Sequence, residues 1–141
     1  MTLGETTVDA DARVVCEVAL ESVHAGVLAS GVVRAPWSGT CRRCLEPAAG
    51  EVIAEVRELF ESEPRPGESY PLGPEQLDLE PMVREAVLLE LPLVPLCQDD
   101  CAGLCPKCGA RLAAGPCSCP SEIRDPRWAA LDALREDTPT E

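Results

Sequence analysis

Cys97-Gln-Asp-Asp-Cys101-Ala-Gly-Leu-Cys105-Pro-Lys-Cys108-Gly109, followed by Cys117-Ser-Cys119, is the stretch that decides how this chain is held together. Its strongest signal is the turn at Cys105 and Cys108, because two thiolates separated by two residues can grip one ion. The glycine that follows permits backbone angles that a side chain would obstruct. Cys117 and Cys119 complete a set of four thiolates. Zinc suits such a set, since it accepts four sulfur ligands and has no redox chemistry.

Two further cysteine pairs remain outside that set. One pair alone cannot complete a tetrahedron, but two pairs can. We therefore predict a second zinc site, joining a strand end to the loop after a helix, formed by Cys41, Cys44, Cys97 and Cys101. Ligand exchange within the later cluster is the alternative, with a single ion held by Cys97, Cys101, Cys105 and Cys108. The expected cofactor is thus one or two Zn²⁺ ions, each held by four thiolates.

The cysteine content also bears on the compartment. Nine cysteines are present, while the first residues carry neither the cationic start nor the apolar run of a signal peptide. No apolar stretch approaches the length of about 18 residues that spans a bilayer. We therefore expect a cytoplasmic protein without membrane contact, in which cysteines serve as metal ligands before they form disulfides.

The first half of the chain has the period-two pattern of β-strands. Apolar and polar residues alternate over residues 13–20 and again over residues 51–60, and residues 23–35 suggest a further strand or hairpin. The alternation places Cys16 on a buried face, as a small core residue. The predicted fold class is α+β, with a small antiparallel meander or partial barrel packed by one helix. A zinc-ribbon-like cysteine segment and a short terminal helix are expected to follow.

The helix is predicted from Asp78-Leu79-Glu80-Pro81, an acidic cap followed by proline in the first turn, and it is expected to stop before Pro92. Its core-facing ridge is predicted to contain Met82, Ala86 and Leu89. The terminal helix would begin at Asp125 and dock through Trp128. The predicted divisions are a loose N-terminus at 1–12, a β-rich core at 13–96 with helix 80–91, a zinc segment at 97–121, and a short helix and tail at 122–141.

The charge of the chain limits its partners. The formal net charge is −13, which opposes sequence-independent binding to nucleic acid and favours a basic protein partner. We expect Arg42 and Arg43 to neutralise the metal site by donating to sulfur, while an RNA contact by these two residues is the weaker alternative. His24 is the only histidine and has no candidate nucleophile nearby. Since no phosphate loop or catalytic triad pattern occurs, the sequence predicts a protein that is not an enzyme.

In combination, several of these motifs resemble the bacterial YceD family, the large ribosomal RNA subunit accumulation proteins, in a cysteine-rich form of actinobacterial type. The resemblance covers about residues 13–135, and the motifs that carry it are Cys41-Arg-Arg-Cys44-Leu-Glu-Pro, Asp78-Leu79-Glu80-Pro81, Leu91-Pro92-Leu93-Val94-Pro95-Leu96-Cys97, Cys101-Ala-Gly-Leu-Cys105-Pro-Lys-Cys108-Gly109 and Asp125-Pro126-Arg127-Trp128. It implies a role in the synthesis, processing or stability of 23S rRNA, and so in ribosome assembly.

The leading hypothesis is a non-enzymatic assembly factor that binds a basic ribosomal protein or a large-subunit (pre-50S) assembly intermediate. One alternative is a zinc or thiol redox sensor that uses Cys41 and Cys44. Pro47 and Gly50 place that pair in a turn, whereas redox pairs normally begin a helix. The other alternative is a zinc ribbon that binds RNA directly, which the scarcity of aromatic residues disfavours.

Overall fold

The computed structural model describes residues 1–120 together with Arg127 and Leu131. The elements are β1 (Thr2–Leu3), β2 (Thr6–Thr7), β3 (Val15–Val23), β4 (Gly26–Thr40), β5 (Pro47–Glu61), β6 (Tyr70–Pro71), α1 (Glu80–Glu90) and a 3₁₀ turn (Leu112–Ala114). By their contacts they form two compact units, Met1–Gly103 and Leu104–Glu141. In the described part of the chain, none of the helices has the length and apolar character that crossing a membrane requires.

The first unit is built around β4. β3 and β2 pair with one edge of β4, and β5 pairs with its other edge along nearly its whole length, from Val27 opposite Phe60 to Thr40 opposite Pro47. The predicted antiparallel meander is therefore present as β3, β4 and β5. β6 pairs with β5 in parallel, which makes the sheet mixed. With its single α-helix the unit agrees with the predicted α+β class in outline.

β4 is longer than the predicted strand and runs through Pro36. A proline usually ends a central strand, because it has no N–H to donate. Here the pairing with β3 ends at Arg34 and the pairing with β2 begins at Ser38, so Pro36 lies in the gap between two partners. The strand can therefore continue to Thr40, immediately before the first cysteine pair.

The core lies between α1 and one face of β4 and β5. The buried residues of these strands lie on that face, among them Val33, Val52 and Ala54, and Phe60 stacks on Tyr70 with ring centroids 5.3 Å apart. The predicted acidic cap is displaced by one residue: Leu79 holds the N-cap position and makes no side-chain cap hydrogen bond, while the Asp78 carboxylate just before it accepts from the Glu80 N–H at 3.0 Å.

The prediction that Met82, Ala86 and Leu89 of α1 face the core is wrong for one of the three residues. Met82 is buried, but Leu89 is 78% exposed, and Val87 and Leu91 are buried instead. At about 100° per residue, the buried face is centred close to Val87, which turns Leu89 out of the core.

The N-terminal segment is not the loose end that the polar composition predicted. β1 and β2 form a hairpin that the Met1 amino group and the Val8 carbonyl close at 2.8 Å. Thr6 is fully buried, and its hydroxyl donates to the Pro92 carbonyl at 2.8 Å. A long-range partner therefore orders a segment whose own composition favours no structure.

Cys16 is exposed rather than a core residue. Alternation identifies the residues that share a face, but it does not show whether that face is covered. α1 packs against β4 and β5, and β3 on the outer edge of β4 stays largely exposed. The predicted terminal helix with Trp128 lies outside the described residues.

Candidate metal centre

The first cysteine cluster lies at the end of the β4–β5 hairpin. Cys41 and Cys44 belong to the turn between these strands, and Cys97 and Cys101 follow α1. The Sγ atoms of Cys41 and Cys101 are 3.8 Å apart, and those of Cys44 and Cys97 are 3.6 Å apart. All four lie within 4.8 Å of one another. The long β4–β5 ladder thus delivers one pair, and the chain leaving α1 delivers the other.

The turn that carries Cys41 has a defined backbone. The Leu45 N–H donates to the Cys41 carbonyl at 2.9 Å, and the Cys41 N–H donates to the Glu46 carbonyl at 2.8 Å. Leu45 has a φ of 63°, which costs an L-residue with a side chain about 1 kcal/mol. Sequence reasoning did not single out Leu45, although its position directly after a paired-cysteine turn is the one that Gly109 occupies in the other cluster.

The sequence suggested that the Arg43 side chain donates to sulfur, but the structure gives it other acceptors. Its guanidinium donates to the carbonyls of Asp99 and Cys101, at 3.3 and 3.0 Å. The Arg42 backbone N–H donates to the Pro95 carbonyl at 2.9 Å. These contacts tie the hairpin turn to the segment that carries the second cysteine pair.

The electrostatics of this cluster favour a bound cation. Burial opposes ionisation of Cys41, but backbone N–H groups of Cys44, Cys97 and Arg43 outweigh it and lower the pKa of Cys41 to about 6. Cys97 is shifted in the opposite direction: the neighbouring sulfurs of Cys44 and Cys101 both raise its pKa, to about 12. Four sulfurs at these distances therefore cannot all be thiolates unless a positive charge lies between them.

The second cluster is formed within one short segment by Cys105, Cys108, Cys117 and Cys119, whose Sγ atoms also lie within 4.8 Å of one another. The Gly109 N–H donates to the Cys105 carbonyl at 2.9 Å, and the Cys105 N–H donates to the Ala110 carbonyl at 2.8 Å. Gly109 has a φ of 71°, the left-handed conformation expected of the glycine after the pair.

The charges of the second cluster repeat those of the first. Backbone N–H groups of Cys108 and Lys107 lower the pKa of Cys105 to about 6. The neighbouring Cys108 sulfur is the main cause, followed by burial, of a rise in the pKa of Cys119 to about 12. The Lys107 ammonium donates to the Pro120 carbonyl at 3.2 Å rather than to a sulfur.

Both clusters fit a metal by the chemistry and spacing of their donors. Ligands about 2.3 Å from a tetrahedral zinc are about 3.8 Å apart, and the sulfur pairs measured in the first cluster lie at 3.6 and 3.8 Å. A disulfide would require about 2.05 Å, and all nine cysteines are free. The structure places Cys105 and Cys108 with Cys117 and Cys119, as in the two-site hypothesis.

The fold and the clusters define a class: a small mixed-sheet protein with two tetracysteine groups that could hold metal ions. Residues 29–135 match the family described as large ribosomal RNA subunit accumulation protein YceD. The chain belongs to this family.

Several curated proteins are similar to it. Uncharacterized proteins of Mycobacterium tuberculosis and Mycobacterium bovis are each 41% identical over 131 residues, which is 88% of this chain and 63% of the relative. The chain thus spans less than two thirds of the length of these relatives. A protein of Arabidopsis thaliana named Large ribosomal RNA subunit accumulation protein YCED homolog 1, chloroplastic, is 34% identical over 67 residues, 48% of this chain and 21% of that protein. No solved structure matches the chain.

Proposed function

We propose that this protein is a non-enzymatic ribosome assembly factor that promotes the synthesis, processing or stability of 23S rRNA. Membership of the YceD family over residues 29–135 is the observation that carries the proposal. The family description names an accumulation protein for large-subunit rRNA, and the Arabidopsis relative has the same name.

In this proposal each tetracysteine cluster holds one Zn²⁺ ion. Four thiolates fill the tetrahedron that zinc prefers, so no position remains for water or substrate, and the ion supplies stability rather than catalysis. In the first cluster the ion would join the β4–β5 turn to the chain after α1. The core contains a single phenylalanine and few other large side chains, and such a thin core gains from a link of this kind.

The charge of the loaded protein supports a basic protein partner. Each zinc with four thiolates carries about −2, which would move the formal net charge from −13 to about −17. A surface this acidic attracts basic ribosomal proteins and repels bare RNA. The proposed partner is therefore a basic ribosomal protein, free or within a pre-50S intermediate.

The redox alternative has less support from the site. Cys41 is fully buried and Cys44 nearly so, whereas redox-active thiols need to be accessible to their partners.

A strain that lacks the gene tests the assembly role. We expect a lower ratio of 23S to 16S rRNA and an excess of large-subunit precursors on sucrose gradients. The parent protein should restore both and should sediment with the precursors. Normal rRNA ratios and gradient profiles in the deletion strain would refute the proposal.

The same strain supplies a matched pair of cysteine variants. Cys41→Ser removes a proposed ligand and should fail to restore the rRNA ratio, whereas Cys16→Ser changes an exposed cysteine outside both clusters and should restore it.

A further inference from the structure

Two grooves of the first unit meet along the outer face of α1. One lies between β5, residues 67–70 and α1 and has a volume of about 240 Å³. Its charged lining residues are all glutamates, namely Glu55, Glu58, Glu68, Glu85 and Glu90. The floor between them is apolar and includes Val56 and Ala86. We call this groove the acidic groove.

The second groove is apolar and lies on the other side of Leu89. Its apolar lining consists of Leu3, Pro81, Leu88, Leu89, Leu91 and Leu93. Leu89 and Leu93 are 78% and 71% exposed, which is unusual for adjacent large aliphatic side chains. Glu85 and Leu89 line both grooves, so the acidic and apolar surfaces are continuous.

The negative charge of the acidic groove is only partly offset. Glu68 pairs with Arg65 at 2.8 Å. In the portion of the chain that the structure describes, Glu55, Glu58 and Glu90 have no ion-pair partner.

Glu58 is the most informative of these residues. It continues the core face of β5 beyond Val56 and is half-buried, although a carboxylate at such a position normally has a partner. The Tyr70 hydroxyl donates to Glu85 at 2.6 Å, and burial together with the charges of Glu85 and Glu58 raises the pKa of Tyr70. The groove therefore concentrates negative potential beside an exposed apolar strip.

Among the described residues that line the two grooves, one is a cation, and it lies in the apolar groove. Arg84 lies in its lining, but the guanidinium is 3.0 Å from the Glu80 carboxylate and is therefore neutralised locally.

We propose that these two grooves together bind a basic amphipathic segment of a partner protein, with its apolar side chains on Leu89 and Leu93 and its lysines or arginines in the acidic groove. This inference rests on the proposed function and names the surface through which the basic partner binds. An amphipathic segment is favoured over a purely basic one because the exposed leucines need an apolar ligand.

The charge of this chain argues against two other occupants. Its own residues 121–141 contain six acidic residues and three arginines, so the glutamates would repel them. A second copy would bring a further net charge of −13 to the same surface. A basic partner relieves the repulsion that either of these would increase.

Fluorescence anisotropy with synthetic peptides and the purified chain tests the proposal. The probes are a Lys/Leu amphipathic helix, a Lys/Ser peptide of equal charge and a Glu/Leu peptide of equal apolar content. We expect the Lys/Leu peptide to bind about tenfold more tightly than either of the others.

Matched variants then locate the site. Glu58→Gln with Glu90→Gln should weaken binding of the Lys/Leu peptide about fivefold to tenfold, and Leu89→Ser should have an effect of similar size. Glu17→Gln with Glu21→Gln removes the same charge from exposed positions of β3 and should leave binding unchanged. Circular dichroism should show all variants to be folded, since none of the altered side chains is fully buried.

Three results would overturn the inference: equal binding of all three peptides, equal weakening in the β3 variant, or a dimer in sedimentation experiments that Leu89→Ser dissociates. The peptide assay contains no rRNA, so its outcome is separate from that of the deletion strain. If the Lys/Leu peptide does not bind but rRNA accumulation still depends on the protein, only the proposed binding surface is refuted. Intact peptide binding with normal rRNA in the deletion strain would refute the assembly role alone.

Discussion

The two paired-cysteine turns have the same backbone but different surroundings. In each, the N–H of the residue after the pair donates to the carbonyl of the first cysteine at 2.9 Å. The N–H of the first cysteine in turn donates to the carbonyl of the second residue beyond the pair, at 2.8 Å. The residue after the pair has a positive φ in both, at Leu45 and Gly109. The ligand sources differ, because Cys41 and Cys44 meet cysteines from beyond α1, whereas Cys105 and Cys108 meet cysteines about ten residues later.

This difference separates two roles for one type of turn. The first cluster joins distant parts of the first unit and is mostly buried, whereas Cys108 of the second cluster is exposed and its four ligands come from one segment. A metal in the first cluster should therefore stabilise the sheet and helix, and a metal in the second should stabilise its own loop.

The largest expected effect is on stability. Cys101→Ser should lower the free energy of unfolding of the sheet and helix by about 3 kcal/mol or more, because it removes a proposed ligand from a buried site. Cys117→Ser should change it by less than about 0.5 kcal/mol. Urea denaturation followed by circular dichroism at the β-sheet band measures both. Equal destabilisation by the two variants would contradict the division of roles, and Cys16→Ser is the control.

A chelator should remove metal from the two clusters at different rates. A chelator that competes for zinc should remove the metal first from the second cluster, whose ligands are more exposed, so release should occur in two phases. Cys117→Ser should abolish the fast phase and keep the slow one. A chromophoric chelator records both rates. A single phase in the parent protein would show that the surroundings of the clusters do not control release.

The two clusters also differ in the side chains that support them. Arg43→Gln removes the side-chain contacts to the Asp99 and Cys101 carbonyls and should weaken metal binding at the first cluster about tenfold. Lys107→Gln removes one exposed contact to the Pro120 carbonyl and should weaken the second cluster less than about threefold. Competition titrations in the Cys117→Ser and Cys41→Ser backgrounds isolate each site. Similar effects of both substitutions would mean that Arg43 is not a specific support of the first cluster.

The smallest effect concerns the residue after each pair. Leu45→Gly should leave stability unchanged or raise it by about 0.5 kcal/mol, because glycine relieves the left-handed strain and Leu45 is 66% exposed. Gly109→Ala should instead lower the stability of the metal-bound second cluster by about 1 kcal/mol. Thermal unfolding for the first variant and metal competition for the second provide the measurements. A clear loss of stability in Leu45→Gly would show that the leucine side chain has a packing role.

The cysteine pairs could be predicted from the sequence because the spacing within a pair is a local property, whereas the two distant pairs of the first cluster were combined because neither could complete a tetrahedron alone. Two residues between two cysteines let both sulfurs bind the same ion, and Gly109 after the second pair indicated the left-handed turn. The start of α1 was equally local, since Asp78 and the proline in the first turn act within a few residues.

What the sequence did not show depends on contacts between distant residues. The exposure of Cys16 and Leu89 follows from the faces that α1 covers, and the order of the N-terminus follows from the bond between Thr6 and Pro92. The carbonyl acceptors of Arg43 depend on how the loop after α1 approaches the hairpin turn. Pattern alone does not contain this information, although the match between Leu45 and Gly109 was visible in the two motifs.

Native mass spectrometry of the purified protein measures the central quantity directly, the number of metal ions in each folded molecule. We expect two zinc ions in the parent, one in Cys41→Ser, one in Cys117→Ser and two in Cys16→Ser. A parent protein that is fully folded without metal, with all its thiols open to alkylation, would show that metal does not hold the fold together.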